Sequence, residues 1–574
     1  MASSSHATDP LQQRLAALMP TIEGICKVAG APGISLAVSY HGEPVHRANF
    51  GFADLEAKKP TAGNTQFPIG TMAKTFTAAA VSALVADGKL EWETPIKSII
   101  PELQTTSATV TENLTIVDLL SHRSGLGRSN LWWQGAEATL LLEKKDLLPF
   151  YNSLPHTGQF RAKWAYSNWG YALAGEVIER VSGMAYAQYL QEKVYRPLAL
   201  KDTTVEPIDP SVASNLARPY ATLDDGSLYP MPQPRINGGT VMASAMAGVS
   251  TVDDLMTYSI ALMQAFRHET GLQTSNPPPV IKHGLQHLSG HIFTAKALLE
   301  KSYALGWYRT QLPNTVLGMG WNSLYVQNMP KIVPMTHVGP LIAHGGSLPG
   351  YHVSVALLPE INSSVVVCTN SIALGDVSGW VSMALIEALV DAPEPSDYIA
   401  LATEAAGNAV LNVKRLEAKL EVERIPGTAP RPKEEYIGTY RDKKRAWVIV
   451  VRAQDTAASG LEVAFQGLDS QTWDLSHYHH DTFLWLAPRE HQAKRGRMVT
   501  YPLIPGHFQL SFQASDDGNG KIDRLLWRHE EGVPAEEQYF MKDIEACDIF
   551  NEYCGMLPAA IRNICLRFVF APSP

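Results

Sequence analysis

The chain has 574 residues, 45% of them hydrophobic and 18% charged, which is enough apolar material for large cores and too little charge for a disordered chain. Lys+Arg number 47 against 56 Asp+Glu, a formal net charge of −9, and no basic run of nucleic-acid-binding length occurs. Nucleic acid is therefore excluded as a partner in favour of a small molecule, and the length calls for two cores or one large enzyme core with an appendage.

The opening MASSSHATDP has no basic stretch leading into an apolar core, and no uncharged apolar run of about 20 residues follows, so neither a signal peptide nor a membrane span is expected. Cys26, Cys368, Cys547, Cys554 and Cys565 are odd in number and irregularly spaced, which suits free thiols in the cytoplasm. Residues 34–52 alternate apolar and polar around His41-Gly42, a hairpin pattern. Helical patterns cover 74–86, closed by Asp87-Gly88, and 170–181, closed by Ser182-Gly183. The stretch 268–300, with three successive prolines from Pro277, reads as a surface insertion or a lid. Two strand patterns over 351–371 break at Pro359-Glu360, and a helical stretch follows from Gly379. Beyond it come a polar helix, the linker GTAPRPKEE, and from Tyr436 a series of strands (WVIVV, LEVAFQGL, TFLWLA, VTYPLI, FQLSFQA, IDRLLWRH) that suggests an antiparallel sandwich or barrel. The expected organisation is an α/β catalytic domain over 1–400, a helical and Pro-containing linker over 401–435, and a β domain over 436–574.

Three short motifs carry chemistry. In IGTMAKTFTA, Thr71 and Lys74 stand at i and i+3 at a helix start and share a face. A hydroxyl needs a neighbouring base to act as a nucleophile. Lys74 qualifies only if burial lowers its pKa from about 10.4, and the apolar run after it fits such burial. In WAYSNWGY, Tyr166 and Asn168 lie two apart on a loop entering a helix. In HGGSLPGY, Gly345 and Gly346 follow His344 and let the backbone approach a bound group closely.

In this order, and with TIVDLLSHRSGL (115–126), GGTVMASAMAGVSTVDDL (238–255) and YALGW (303–307), the motifs resemble the serine β-lactamase and penicillin-binding-protein superfamily, closest to its class C-like esterase and acyltransferase branch. The resemblance implies a transpeptidase-like fold, an antiparallel sheet flanked by helices with a helical insert, followed by a lipocalin-like β domain. It implies Thr71 as nucleophile, Lys74 as its base, Tyr166 as proton relay, Asn168 as a substrate-positioning amide and His344 as the third-box residue facing the pocket. The backbone N–H groups of Thr71 and Ser347 would form the oxyanion hole beside Gly346, and Trp164 and Trp169 would line a hydrophobic pocket. The implied substrate is a hydrophobic ester, lactone or thioester of secondary metabolism, with no metal or cofactor; homo-oligomerisation stays open.

This sequence departs from the family in having Thr71 where the family has serine, and the added methyl stiffens χ1 and crowds the attacking oxygen. Three readings follow: a hydrolase or acyltransferase with an acylated Thr71; a non-covalent acid/base enzyme (elimination, cyclisation or isomerisation) using Lys74, Tyr166 and His344; and a non-catalytic binding homologue. Three other matches are set aside. The His477 to Asp481 run lacks the further ligands of a zinc site. The 516–523 turn lacks the closing carboxylate of a calcium loop. His122 reads as a structural loop residue.

Overall fold

The computed structural model of the chain describes residues 10–543 except 212, 317, 444–445, 500–502 and 515–519. Cys547, Cys554, Cys565, nearly all of MASSSHATDP and much of the 516–523 turn lie outside the described residues. The chain divides into two compact units. The first takes residues up to 423 together with 487–505 and 529–533, and the second takes the rest.

In the first unit, the hairpin forms as expected: Gly33–Tyr40 pairs with Glu43–Asp54, and His41 and Gly42 turn with φ of 52° and 85°. Two successive left-handed residues give the turn whose twist matches that of antiparallel strands. The hairpin joins a nine-stranded sheet in the order 59–60, 43–54, 33–40, 363–369, 351–358, 340–348, 308–311, 301–303, 292–293. Strands from the two ends of the unit thus meet at its middle, where Gly33–Tyr40 pairs with Ser363–Thr369. The segment 268–300 contributes the helix Gly284–Leu288 and the edge strand Ile292–Phe293.

The central strands are buried on both faces, which is why they read as continuous apolar runs. Val365 and Val367 face a core shared with the helix Val377–Leu389, while their neighbour Ser364 points the other way and meets Met256 of the helix Val252–Glu269. Alternation along a strand sends adjacent side chains to opposite faces. Val377–Leu389 starts where the Asp376 carboxylate accepts the Gly379 N–H, a side-chain N-cap. The helix Tyr398–Glu423 adds Ala402, Ala405 and Ala409 to the same core, together with Ile22 and Ile25 of Met19–Ala29.

The insert holds the helices Ala73–Ala86 and Asn168–Ser182. The first is buried over nearly all its length, Lys74 included, because its Ala- and Val-rich sequence has no polar face to give to water. Residues 487–505 complete this unit. Arg489, 4% exposed, donates to Asp224 Oδ1 at 2.8 Å and to the Thr222 carbonyl, while Ala493, Met498 and Val499 pack with Ala221, Met231 and Ile372.

The second unit is a nine-stranded antiparallel sheet. Its two end strands, Thr472–Asp474 and Ser476–His479, are joined by Leu475 alone, which brings the ends together into a nearly closed barrel. Trp447, Phe465 and Trp527 fill it, with Phe465 and Trp527 stacked at 5.1 Å. VTYPLI forms no strand in its described residues 499, 503 and 504; they belong to the segment held in the first unit.

Candidate active site

The strand Pro340–Leu348 outruns its neighbour Tyr308–Gln311, whose pairing ends at Tyr308 and Ala343. Residues 344–348 pair with Tyr351–Leu358 on one side and turn their other edge to the helical turn Gly70–Met72. The two backbones touch because each contributes a glycine. A Cβ on Gly346 would collide with the Ile69 carbonyl, and Gly70, at φ 53°, lies against the Ser347 backbone.

At this edge, Thr71 Oγ1 donates to the Gly345 carbonyl at 2.6 Å. The same oxygen accepts from His344 Nδ1 at 2.7 Å, which places the His344 proton on Nδ1 because a carbonyl only accepts. His344 Nε2 is then an acceptor, buried and, among the described residues, without a hydrogen-bond partner. Burial first, then the charge of Lys74, push the His344 pKa down to about 3, so the ring is neutral at physiological pH.

Lys74 is fully buried. Its Nζ donates to Asn168 Oδ1 at 2.7 Å and to the Ala245 carbonyl at 3.0 Å, and it lies 4.9 Å from the centre of the Tyr166 ring. Burial holds its pKa well below the ordinary lysine value. Two donated bonds use both N–H groups of a neutral amine and leave its lone pair free, whereas an ammonium would have a third proton to place. The surroundings thus fit the neutral, basic form.

Asn168 is the first residue of its helix, behind the N-cap Ser167. Its Nδ2 donates to Asn130 Oδ1 at 3.0 Å, so its Oδ1 faces Lys74. His122, read from sequence as structural, sits at φ 60° with its ring 4.3 Å from that of Tyr166. Its Nδ1 accepts the Ser167 N–H at 3.0 Å, which leaves Nε2–H for the Tyr303 hydroxyl at 3.2 Å. Burial, Lys74 and His344 keep its pKa well below the usual histidine value. Tyr303, Tyr308 and Trp164 extend this aromatic wall towards His344.

Trp169 corrects the expectation of two pocket tryptophans. It has no exposed surface, stacks on Phe150 at 5.7 Å and donates Nε1 to the Ser129 carbonyl. One helical step from Asn168, it points into the core. Ser347 Oγ bonds His352 Nδ1 at 2.9 Å, which anchors the strand from behind. A cavity of about 620 Å³ in the same unit is lined by Leu348 of this strand and by Val205, Pro207, Glu206, Asp209 and Arg235 among others, but by none of the side chains just described.

The structure therefore brings Thr71, Lys74, Tyr166, Asn168, His344 and Ser347 to one place. Sequence reading missed Asn130, Ala245 and Tyr303, although Ala245 and Tyr303 lie inside the segments 238–255 and 303–307. Among the described residues, no group of His, Cys, Asp or Glu is placed to hold a metal ion, and no helix is long and apolar enough to cross a membrane. In the set-aside His477 run, Asp481 accepts from Tyr436 and Arg431.

The family model described as Beta-lactamase matches residues 21–379, and one described as a domain of unknown function (DUF3471) matches 423–546. The chain is 24% identical to the unguisins hydrolase of Aspergillus campestris over 373 residues, 63% of this chain and 62% of that protein. It is 31% identical to Esterase EstB of Burkholderia gladioli over 228 residues, 36% of this chain and 56% of the esterase. The chain thus matches less than two thirds of either relative's length. The octameric penicillin-binding protein homologue from Pyrococcus abyssi superposes with a TM-score of 0.49 at 18% identity, covering 93% of this chain and 99% of that one.

Proposed function

The chain belongs to the beta-lactamase family, and from that premise we propose that it is a hydrolase or acyltransferase of a hydrophobic ester, lactone or thioester, with Thr71 as nucleophile. The observation that carries this reading is Lys74, buried with both amine N–H groups engaged and a lone pair to spare. Thr71 Oγ1 rotates from the Gly345 carbonyl towards Lys74 and gives its proton to Nζ as the bond from Oγ1 to the acyl carbon forms. The N–H groups of Thr71 and Ser347 hold the oxyanion. Collapse breaks the bond to the leaving alcohol or thiol, which is protonated through Tyr166. Water or an acceptor hydroxyl then reverses the sequence and frees Thr71. The aromatic wall of Trp164, Tyr303 and Tyr308 beside His344 supports a hydrophobic substrate. The relatives' names, a hydrolase and an esterase, support the reaction class, and the unguisins hydrolase agrees with a secondary-metabolite substrate. The test is labelling by a fluorophosphonate probe. Label on the Thr71 peptide, lost in Thr71→Ala and kept in Thr71→Ser, supports the reading; turnover without labelling opposes it.

A second reading has its own observation. The Thr71 hydroxyl bonds Gly345 rather than Lys74, as expected where Lys74, Tyr166 and His344 perform proton transfer without acylation. Turnover that survives Thr71→Ala and is abolished by Lys74→Ala and Tyr166→Phe would select it.

A further inference from the structure

Glu530 lies 401 positions after Ser129 in the chain, in the short segment 529–533 that belongs to the first unit. It is buried, and its Oε2 accepts both the backbone N–H and the hydroxyl of Ser129. Ser129 is itself fully buried and sits at φ 36°, in the left-handed region that a residue with a side chain enters only under constraint. The constraint acts from both sides of the residue. The carboxylate takes its N–H, and the Trp169 indole and the Trp132 N–H take its carbonyl.

Geometry then carries this fixed backbone to the reacting groups. The next residue, Asn130, directs Oδ1 at Asn168 Nδ2, 3.0 Å away. An amide that gives its NH₂ to one neighbour must turn its oxygen to the other, and that oxygen meets Lys74 Nζ at 2.7 Å. We infer that Glu530 is a positioning residue of the active site: by clamping Ser129 it aims Asn130 at Asn168 and so fixes which end of the Asn168 amide faces Lys74. The inference rests on the reading of Lys74 as the base.

Without the carboxylate, Ser129 relaxes from its left-handed conformation, Asn130 withdraws, and Asn168 is free to turn. Lys74 then loses an acceptor that favours its charged form, so its pKa falls further. The test is Glu530→Ala in the full chain, with p-nitrophenyl esters as probe substrates and a crystal structure of the variant. Expected are a tenfold or greater fall in kcat, an acid limb of kcat/KM displaced to lower pH, and a broken Asn130 to Asn168 bond. Adding Ser129→Gly, which adopts positive φ without strain, is expected to return the limb towards its original position. A loss of stability alone would leave the limb in place. An intact Asn130 to Asn168 bond with unchanged kcat and limb would overturn the inference. If Glu530→Ala does not fold, Glu530→Gln, which keeps one acceptor oxygen, carries the same measurements with smaller shifts. If the parent turns over no ester, the functional reading fails, and the crystal structure still decides whether Glu530 sets Asn168.

Discussion

Lys74 Nζ donates to Asn168 Oδ1 at 2.7 Å with both side chains buried, and among the described residues no carboxylate lies within ion-pair distance of the amine. The site disfavours a charged lysine by burying it and withholding a counter-ion, and its two carbonyl-type acceptors offset that only in part. That arrangement has consequences for pH, reactivity and stability.

Under the proposed function activity needs the lone pair of Lys74, so kcat/KM is expected to rise with pH along a limb that falls well below the ordinary lysine pKa. For stability, the folded pKa lies below the unfolded one, and the unfolded chain binds the extra proton between the two values. Lys74 therefore destabilises the fold increasingly as pH falls through this window. Lys74→Met is expected to raise Tm at neutral pH, with the margin narrowing as pH approaches about 10.4. A margin constant with pH would contradict a depressed pKa.

His344 titrates near 3 when folded and near 6.5 when free. The unfolded chain gains its proton first, so His344 removes stability as pH falls from 6.5 towards 3. Urea titrations at several pH values are expected to show a shallower acid loss for His344→Gln than for the parent. Equal slopes would mean that the ring is not held neutral.

Tyr166 stands beside Lys74 and His122. In its proposed role as proton relay to the leaving group, its loss in Tyr166→Phe is expected to lower kcat by roughly 10²–10⁴-fold with little change in KM. Steady-state kinetics on esters with leaving groups of graded pKa check this, because the defect shrinks as the leaving group becomes less basic.

Two substitutions at residues that do not touch the reacting groups test the packing. Trp169→Ala is expected to destabilise by about 3–5 kcal/mol through cavity formation. Arg489→Ala is expected to cost less, roughly 1–3 kcal/mol, because it strands the buried Thr222 carbonyl while the Asp224 carboxylate remains partly in water. Denaturant unfolding of each variant measures both. A loss below about 1 kcal/mol for Trp169→Ala, the level of ordinary surface changes, would mean that the indole is not core.

The convergence of the three motifs was legible because each motif is local. Thr71 and Lys74 share a helical turn, and His344, Gly345 and Gly346 lie on one strand. The hairpin at His41-Gly42 and the late strand series were legible for the same reason. What escaped was non-local. The Glu530 bond to Ser129 spans 401 positions, and the bonds that hold Arg489 span 265 and 267; no periodicity marks such pairs. Trp169 was misassigned because one helical step separates the residue that meets Lys74 from one that faces the core. The hydroxyl of Thr71 was expected beside Lys74 but is rotated onto Gly345, a choice of χ1 on which spacing is silent.

The central claim is that Thr71 becomes acylated, and intact-mass spectrometry of acid-quenched reactions with a slowly hydrolysed p-nitrophenyl ester tests it most directly. The account predicts one added acyl mass during turnover, mapped to the peptide carrying Thr71, retained in Thr71→Ser and absent in Thr71→Ala. Burst-free turnover with no acyl mass at any quench time, surviving in Thr71→Ala, would contradict it.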